Sequence, residues 1–156
     1  MIKRLLIIDV DNCISDDKHR HDLLPPQPHE SEEFDAFERY HLACIYDEPV
    51  NLGQLYNNGP IDEFLVVTAM PQLYDDLRWW WLKRHLWKGT ISRIRLLMRP
   101  NSNTMPSAQL KVLLVRRYLL DNHRDASEII LAIDDRDDVL EAYAAEFGCP
   151  TKKVQI

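Results

Sequence analysis

Leu5-Leu6-Ile7-Ile8-Asp9-Val10-Asp11-Asn12-Cys13 is the stretch that decides the fold. Its apolar residues run on without alternation, the pattern of a strand covered on both faces. Asp9 and Asp11 end that run, two positions apart. In open α/β sheets, ligands bind beyond the carboxyl ends of the strands. A buried strand delivering an acid pair to that edge says where partners for the pair should be sought.

Working outward, Arg4 to Ile8 reads as the first strand. Ser15 to Glu30 is polar, carries Pro25, Pro26 and Pro28, and reads as a loop. Ser31 is a plausible cap for a helix marked by Phe34, Phe37, Leu42 and Ile45. Asn51 to Tyr56 reads as a short helix, stopped by Asn57-Asn58-Gly59-Pro60. Glu63 to Val67 is a second apolar strand ending at Thr68. Pro71 is expected to open a helix reaching about Leu86, with Gly89 beyond it. Arg93 to Met98 reads as a third strand and Ser107 to Leu120 as an amphipathic helix. Glu128 to Ile133 is a fourth strand, stopped by Asp134-Asp135. Asp137 to Phe147 is a helix with Gly148 as its C-cap, and Lys152 to Ile156 a short fifth strand. Alternating strands and helices predict an α/β fold with a doubly wound parallel sheet of about five strands. Residues 1–156 form one domain in this reading, with a small helical insertion over about 16–60.

Composition narrows the partners. The chain has 156 residues, 46% of them hydrophobic, enough for one core, and a formal net charge of −6. No basic stripe for gripping long nucleic acid is present. An anionic ligand would therefore need local cations. Cys13, Cys44 and Cys149 are odd in number and widely spaced, against a disulfide scaffold and for a reducing compartment. The apolar run at the N-terminus is too short for a membrane span. A soluble, cytoplasmic protein with no membrane partner is expected. There is no GxxxxGK[ST] and no GxGxxG.

The parallel sheet gathers Asp9, Asp11, Thr68, Lys111, Asp134 and Asp135 at one edge. Clustered carboxylates repel and call for a cation, and an all-oxygen donor set suits Mg²⁺. A carboxylate can act as nucleophile, a second can move protons, and a hydroxyl with an ammonium can hold phosphate oxygens. The set fits hydrolysis of a phosphate monoester. Each member alone has a plainer reading. An Asp-x-Asp after a strand is commonly a turn or cap, a helix lysine is commonly solvated, and Asp137 and Asp138 complement a helix dipole. His19, His21, His29 and His41 lack zinc-ligand spacing. Consecutive helical residues point about 100° apart, so Trp79, Trp80 and Trp81 cannot share one core. One or two should be buried, the rest covering the site or lying at a contact in a homo-oligomer.

These residues resemble the four ordered motifs of haloacid dehalogenase-type phosphatases, across essentially the whole chain. The resemblance is closest to the phosphatase domain of polynucleotide kinase-phosphatases. It rests on Asp9-Val10-Asp11, Thr68, Met98-Arg99 before the loop to Lys111, and Ile133-Asp134-Asp135-Arg136. Arg20 also falls eleven residues after Asp9, where that group keeps a phosphate-contacting arginine. The resemblance implies Asp9 as nucleophile and Asp11 as general acid/base. It implies a Mg²⁺ site drawn from Asp9, Asp11 (through its main-chain carbonyl), Asp134 and Asp135. Thr68, Lys111 and Arg20 would hold the substrate phosphate, on a phosphorylated nucleotide or nucleic-acid end. The chain departs from the pattern at Asn12-Cys13, where the family usually has Gly-Thr, and at Met70, where the polynucleotide group has arginine. Ser107 stands where that group has an acid. The alternatives are a phosphatase for small phosphate esters in general, or a binding or regulatory module without turnover on the same fold.

Overall fold

A computed structural model describes residues 3–25, 34–86 and 93–156. The expected caps at Ser31 and Gly89 lie outside the described residues. The first strand, β1 (Leu5–Ile8), has no solvent exposure. That matches its unbroken apolar run. The other strands are β2 (Ser15–Asp16), β3 (Glu48–Pro49), β4 (Glu63–Pro71), β5 (Ile94–Arg99), β6 (Ile129–Asp134) and β7 (Thr151–Lys153). The main sheet has the order β5-β4-β1-β6-β7 and every pairing in it is parallel. Parallel neighbours need crossover connections. Those after β4, β5 and β6 contain the helices α3 (Asp75–His85), α4 (Ser107–Asp121) and α5 (Asp137–Phe147). The segment between β1 and β4 holds α1 (Phe34–Leu42), α2 (Leu52–Leu55) and the small antiparallel pair β2–β3.

Two cores flank the sheet, as a doubly wound architecture requires. Leu5, Ile7, Leu65 and Val67 pack with Val115 and Leu119 of α4 and with Val139 and Tyr143 of α5. Leu6, Ile8, Phe64 and Val66 pack with Trp81 and Leu82 of α3. Alternate residues of β1 thus serve opposite faces. Trp81 is buried, Trp79 partly buried and Trp80 exposed, the division that helical geometry demands of the triplet. Gly148 ends α5 at φ 63°, the left-handed cap conformation glycine adopts without strain.

Several boundaries differ from the sequence reading. Pro71 ends β4, where it pairs with Arg99 after a register shift. A 3₁₀ turn over Gln72–Tyr74 intervenes, and α3 begins only at Asp75. A proline at a helix start and a proline at a strand end have the same fixed φ. Local sequence could not separate them. The expected loop after Ser15 contains β2 and a 3₁₀ helix over Lys18–Leu23, whose side chains are held by tertiary ion pairs rather than by apolar periodicity. The last strand sits at Thr151–Lys153, not Lys152 to Ile156. Among the described residues no helix is long and apolar enough to cross a membrane.

Candidate active site

Register builds the site. Ile8 pairs with Val66 on one side and Ile133 on the other, so Asp9 just past β1, Thr68 within β4 and Asp134 at the end of β6 converge. The Asp9 amide donates to the carbonyl of Ile133 (3.0 Å). Lys111, in the second turn of α4, projects its ammonium between two carboxylates: 2.8 Å to Asp9 Oδ1 and 2.7 Å to Asp134 Oδ2. All three residues are buried. Burial, then the nearby charge of Asp134, raises the proton affinity of Asp9 well above the carboxylate norm. Burial works against the Lys111 cation, but Asp9 and Asp134 outweigh it and push its pKa up. Thr68 is buried at the site, its hydroxyl oxygen accepting from the Met70 amide at 3.1 Å.

Asp9, Asp134 and Asp135 can each offer a carboxylate oxygen such that all three lie within 4.8 Å of one another. Among the described residues, three carboxylate oxygens with the Lys111 ammonium beside them suit a hard divalent cation. The side chain of Asp11 does not belong to this set. It is turned toward Arg20 and Arg78, whose nitrogens lie 2.5 Å and 2.6 Å from Asp11 Oδ1. Burial opposes ionisation of Asp11, but Arg78 and then Arg20 prevail, and its pKa falls well below the usual carboxylate range.

Asn12 acquires a reason in three dimensions. Its φ is 56°, in the left-handed region open to glycine and, among other residues, most readily to Asn and Asp. Its side-chain amide donates to Asp135 Oδ2 at 3.0 Å. Asn12 thus takes a backbone conformation open to glycine and adds a tie between the first and last acidic segments. Cys13 is fully buried, and burial pushes its thiol pKa up.

A cavity of about 330 Å³ brings Asp9, Thr68 and Lys111 together with Phe37, Tyr40 and His41 of α1. Arg20 has no solvent exposure. Its Nε and Nη2 donate to Asp47 at 2.8 Å and 2.7 Å, and its Nη1 to the Tyr40 carbonyl at 3.0 Å. It reaches the cavity only through Asp11. Sequence reasoning missed Arg78 and Asp47. Arg78 is fully buried in α3 immediately before the tryptophans, and an arginine beside an apolar triplet was the one available signal. Nothing local marks Asp47. Arg99 ties the neighbouring loops, donating to the carbonyls of Ala69 (2.9 Å) and Met105 (2.6 Å).

His41 stacks on Phe37 at a centroid distance of 5.8 Å and meets Tyr74 at 5.0 Å. Its Nδ1 has no hydrogen-bond partner among the described residues. Burial lowers its pKa to about 4. An unfolded histidine titrates near ~6.5, so the unfolded chain binds the extra proton first as pH falls. The neutral His41 therefore costs no stability above that pH. It becomes progressively destabilising as pH drops from about 6.5 toward 4, by at most on the order of 3 kcal/mol. Denaturant unfolding of the wild type and His41→Gln across that range should show a shallower acid decline in the variant. Parallel profiles would refute the assignment.

No protein-family model and no curated protein matches the sequence. Solved structures do match by fold. A chain in the structure of the Pnkp1/Rnl/Hen1 RNA repair complex superposes with a TM-score of 0.63 at 14% identity, over 98% of this chain and 42% of that one. This protein thus spans less than half the length of that chain. A HAD family enzyme from Bacteroides thetaiotaomicron, solved as a magnesium complex, gives 0.53 at 13% identity, over 99% and 94%. A subfamily IA HAD-superfamily hydrolase from Geobacter sulfurreducens gives 0.51 at 13%, over 96% and 88%. The protein has the Rossmann-like α/β fold of haloacid dehalogenase-superfamily hydrolases, with its buried acids at the carboxyl edge of the sheet.

Proposed function

We propose that this protein is a Mg²⁺-dependent phosphomonoesterase of the haloacid dehalogenase type, acting on a phosphorylated nucleotide or nucleic-acid end. The observation that carries the reading is the buried Asp9–Lys111–Asp134 bridge beside Thr68 at the sheet edge. Asp9, Asp134 and Asp135 hold the metal, with the Asp11 carbonyl as a further oxygen donor. Bound there, Mg²⁺ supplies positive charge to the acids and to the phosphate oxygens.

A carboxylate oxygen of Asp9 attacks phosphorus, an aspartyl phosphate forms, and the bond from phosphorus to the leaving oxygen breaks. Asp11 gives that oxygen a proton. It then takes one from the water that attacks phosphorus and releases Asp9. The arginines keep Asp11 ionised in the ligand-free protein, the state that accepts a proton. An arriving phosphate is a like charge beside it and favours its protonated form. Lys111 and Thr68 hold phosphate oxygens as charge spreads over them.

The segment over about 16–60 acts as a small cap. Its Phe37, Tyr40 and His41 share the cavity with Asp9, giving the leaving group an aromatic surround. The nucleotide assignment draws on the superposition with the RNA repair complex. The broader alternative is a phosphatase for small phosphate esters. A non-catalytic module is disfavoured because Asn12 adopts the left-handed backbone open to glycine and its amide ties Asp135 to the site. Phosphate release should be measured from 5′- and 3′-nucleotides, 3′-phosphorylated oligonucleotides and simple alkyl phosphates, with Mg²⁺ and with chelator. Release from the nucleotides or oligonucleotides that stops on chelation is expected. Release from the simple esters alone points to the broader phosphatase. Folded protein that releases nothing from any of them sinks the enzymatic reading.

A further inference from the structure

Asp11 sits in the loop after β1 with its side chain 24% exposed, beside the cavity. A carboxylate there can present either oxygen, and what holds it decides which. Both arginine contacts fall on Oδ1: Arg20 Nη2 at 2.5 Å and Arg78 Nη2 at 2.6 Å. The two guanidiniums are otherwise unlike. Arg20 is committed to Asp47 and to the Tyr40 carbonyl, and its guanidinium carbon lies 4.1 Å from the centre of the Tyr40 ring.

Arg78 is equally buried, yet among the described residues its one hydrogen bond goes to Asp11. Its Nε and Nη1 have no hydrogen-bond partner among the described residues, and Asp47 Oδ2 is 3.9 Å from Nη1. A buried cation so thinly bonded is costly. An arginine serving packing alone would be surrounded by acceptors. Its place is nevertheless fixed, because Trp81, one turn along α3, donates its indole N–H to the Asp47 carbonyl at 2.8 Å.

We propose that Arg78 is the positioning residue of Asp11: with Arg20 it anchors Oδ1, so that Oδ2 is the atom that exchanges the proton with the leaving oxygen and then with water. The inference rests on the phosphomonoesterase reading. When the Asp9 oxygen–phosphorus bond forms and the leaving oxygen departs, the proton passes from Oδ2 to that oxygen. When water attacks phosphorus and Asp9 is released, Oδ2 takes a proton from the water.

The test compares kcat/KM, in the full chain with Mg²⁺, for two esters that the wild type hydrolyses. One is a nucleoside monophosphate, whose alkoxide needs a proton to leave. The other is an aryl phosphate, whose phenolate leaves unaided. Arg78→Lys keeps the charge but loses the planar fork. It should lose about 100-fold on the nucleotide, the scale of general acid–base catalysis, and only a few-fold on the aryl ester. Equal losses on both esters overturn the proposal. Combining Arg78→Met with Asp11→Asn removes both members of the buried pair and covers the case in which Arg78→Lys does not fold. The double variant should be no slower on the nucleotide than Asp11→Asn alone, and a further tenfold loss overturns the proposal. A wild type that releases phosphate from no nucleotide, 3′-phosphorylated oligonucleotide or simple ester sinks the phosphatase reading and this inference together. An active wild type with equal losses sinks this inference alone.

Discussion

Asp9→Asn should lose turnover by roughly 10⁴-fold or more while the protein stays folded. Asparagine fills the same space but cannot form the aspartyl phosphate. Stability should hold, because the substitution removes a carboxylate that Asp134 already crowds and leaves Lys111 its bond to Asp134 (2.7 Å). The check has two parts: phosphate release under saturating substrate, and thermal unfolding beside the wild type. A near-normal rate would make Asp9 a ligand rather than the nucleophile. A collapse of the fold would make its role structural.

Lys111→Met should do what Asp9→Asn does not, and cost both turnover and stability. Methionine matches the length of the apolar stem but leaves Asp9 and Asp134 facing each other without a cation. Breaking a buried ion pair by removing one partner costs about 3–5 kcal/mol. Asp9, whose proton affinity burial and the charge of Asp134 already raise, should relieve the repulsion by binding a proton. A folded-state pKa raised above the unfolded value makes the ionised group a destabiliser at high pH, with relief as pH falls. The deficit of Lys111→Met against wild type should therefore shrink as pH falls. Mg²⁺ should raise the melting temperature of the variant more than that of the wild type, since it supplies the charge the lysine no longer does. A variant as stable as wild type at neutral pH, and indifferent to Mg²⁺, would refute the bridge.

The two substitutions together separate charge balance from chemistry. One removes an anion from the cluster and the other the ammonium that bridges it. A site maintained merely for packing would respond to them by volume, and both replacements conserve volume closely.

The nucleus of this fold could be read from single segments because burial on both faces leaves a mark on every residue. Leu5–Ile8 has no polar position, so a strand covered on one side only was excluded. The same holds for the cores of β4 and β6, and from there the order of strands and helices determined a doubly wound sheet. The gathering of Asp9, Thr68, Lys111 and Asp134 was legible for a related reason: each stands in the carboxyl-terminal part of a strand, just past one, or near the start of a helix, and parallel topology sends all such points to one edge. The acids on their own did not say that Lys111 would lie between two of them. That took the crossing of α4 over the sheet.

What the tertiary structure alone decided concerns charges that meet across long stretches of chain. Arg20 lies in a 3₁₀ helix, Asp47 just before β3 and Arg78 in α3, and no periodicity connects them to Asp11. The expectation that Arg20 points at substrate came from position along the chain. Its burial against Asp47 was invisible there, because an ion pair leaves no pattern in hydrophobicity. Asn12 shows the same divide in one residue. As a letter beside Asp11 it was a departure from glycine; in the structure it holds a left-handed backbone at φ 56° and its amide donates to Asp135. The sequence by itself determined the sheet, the edge and the acids on it, since those follow from burial and chain order. The partner of each acid, and thereby which one is held ionised and which is crowded toward its protonated form, was decided by distances that only packing sets.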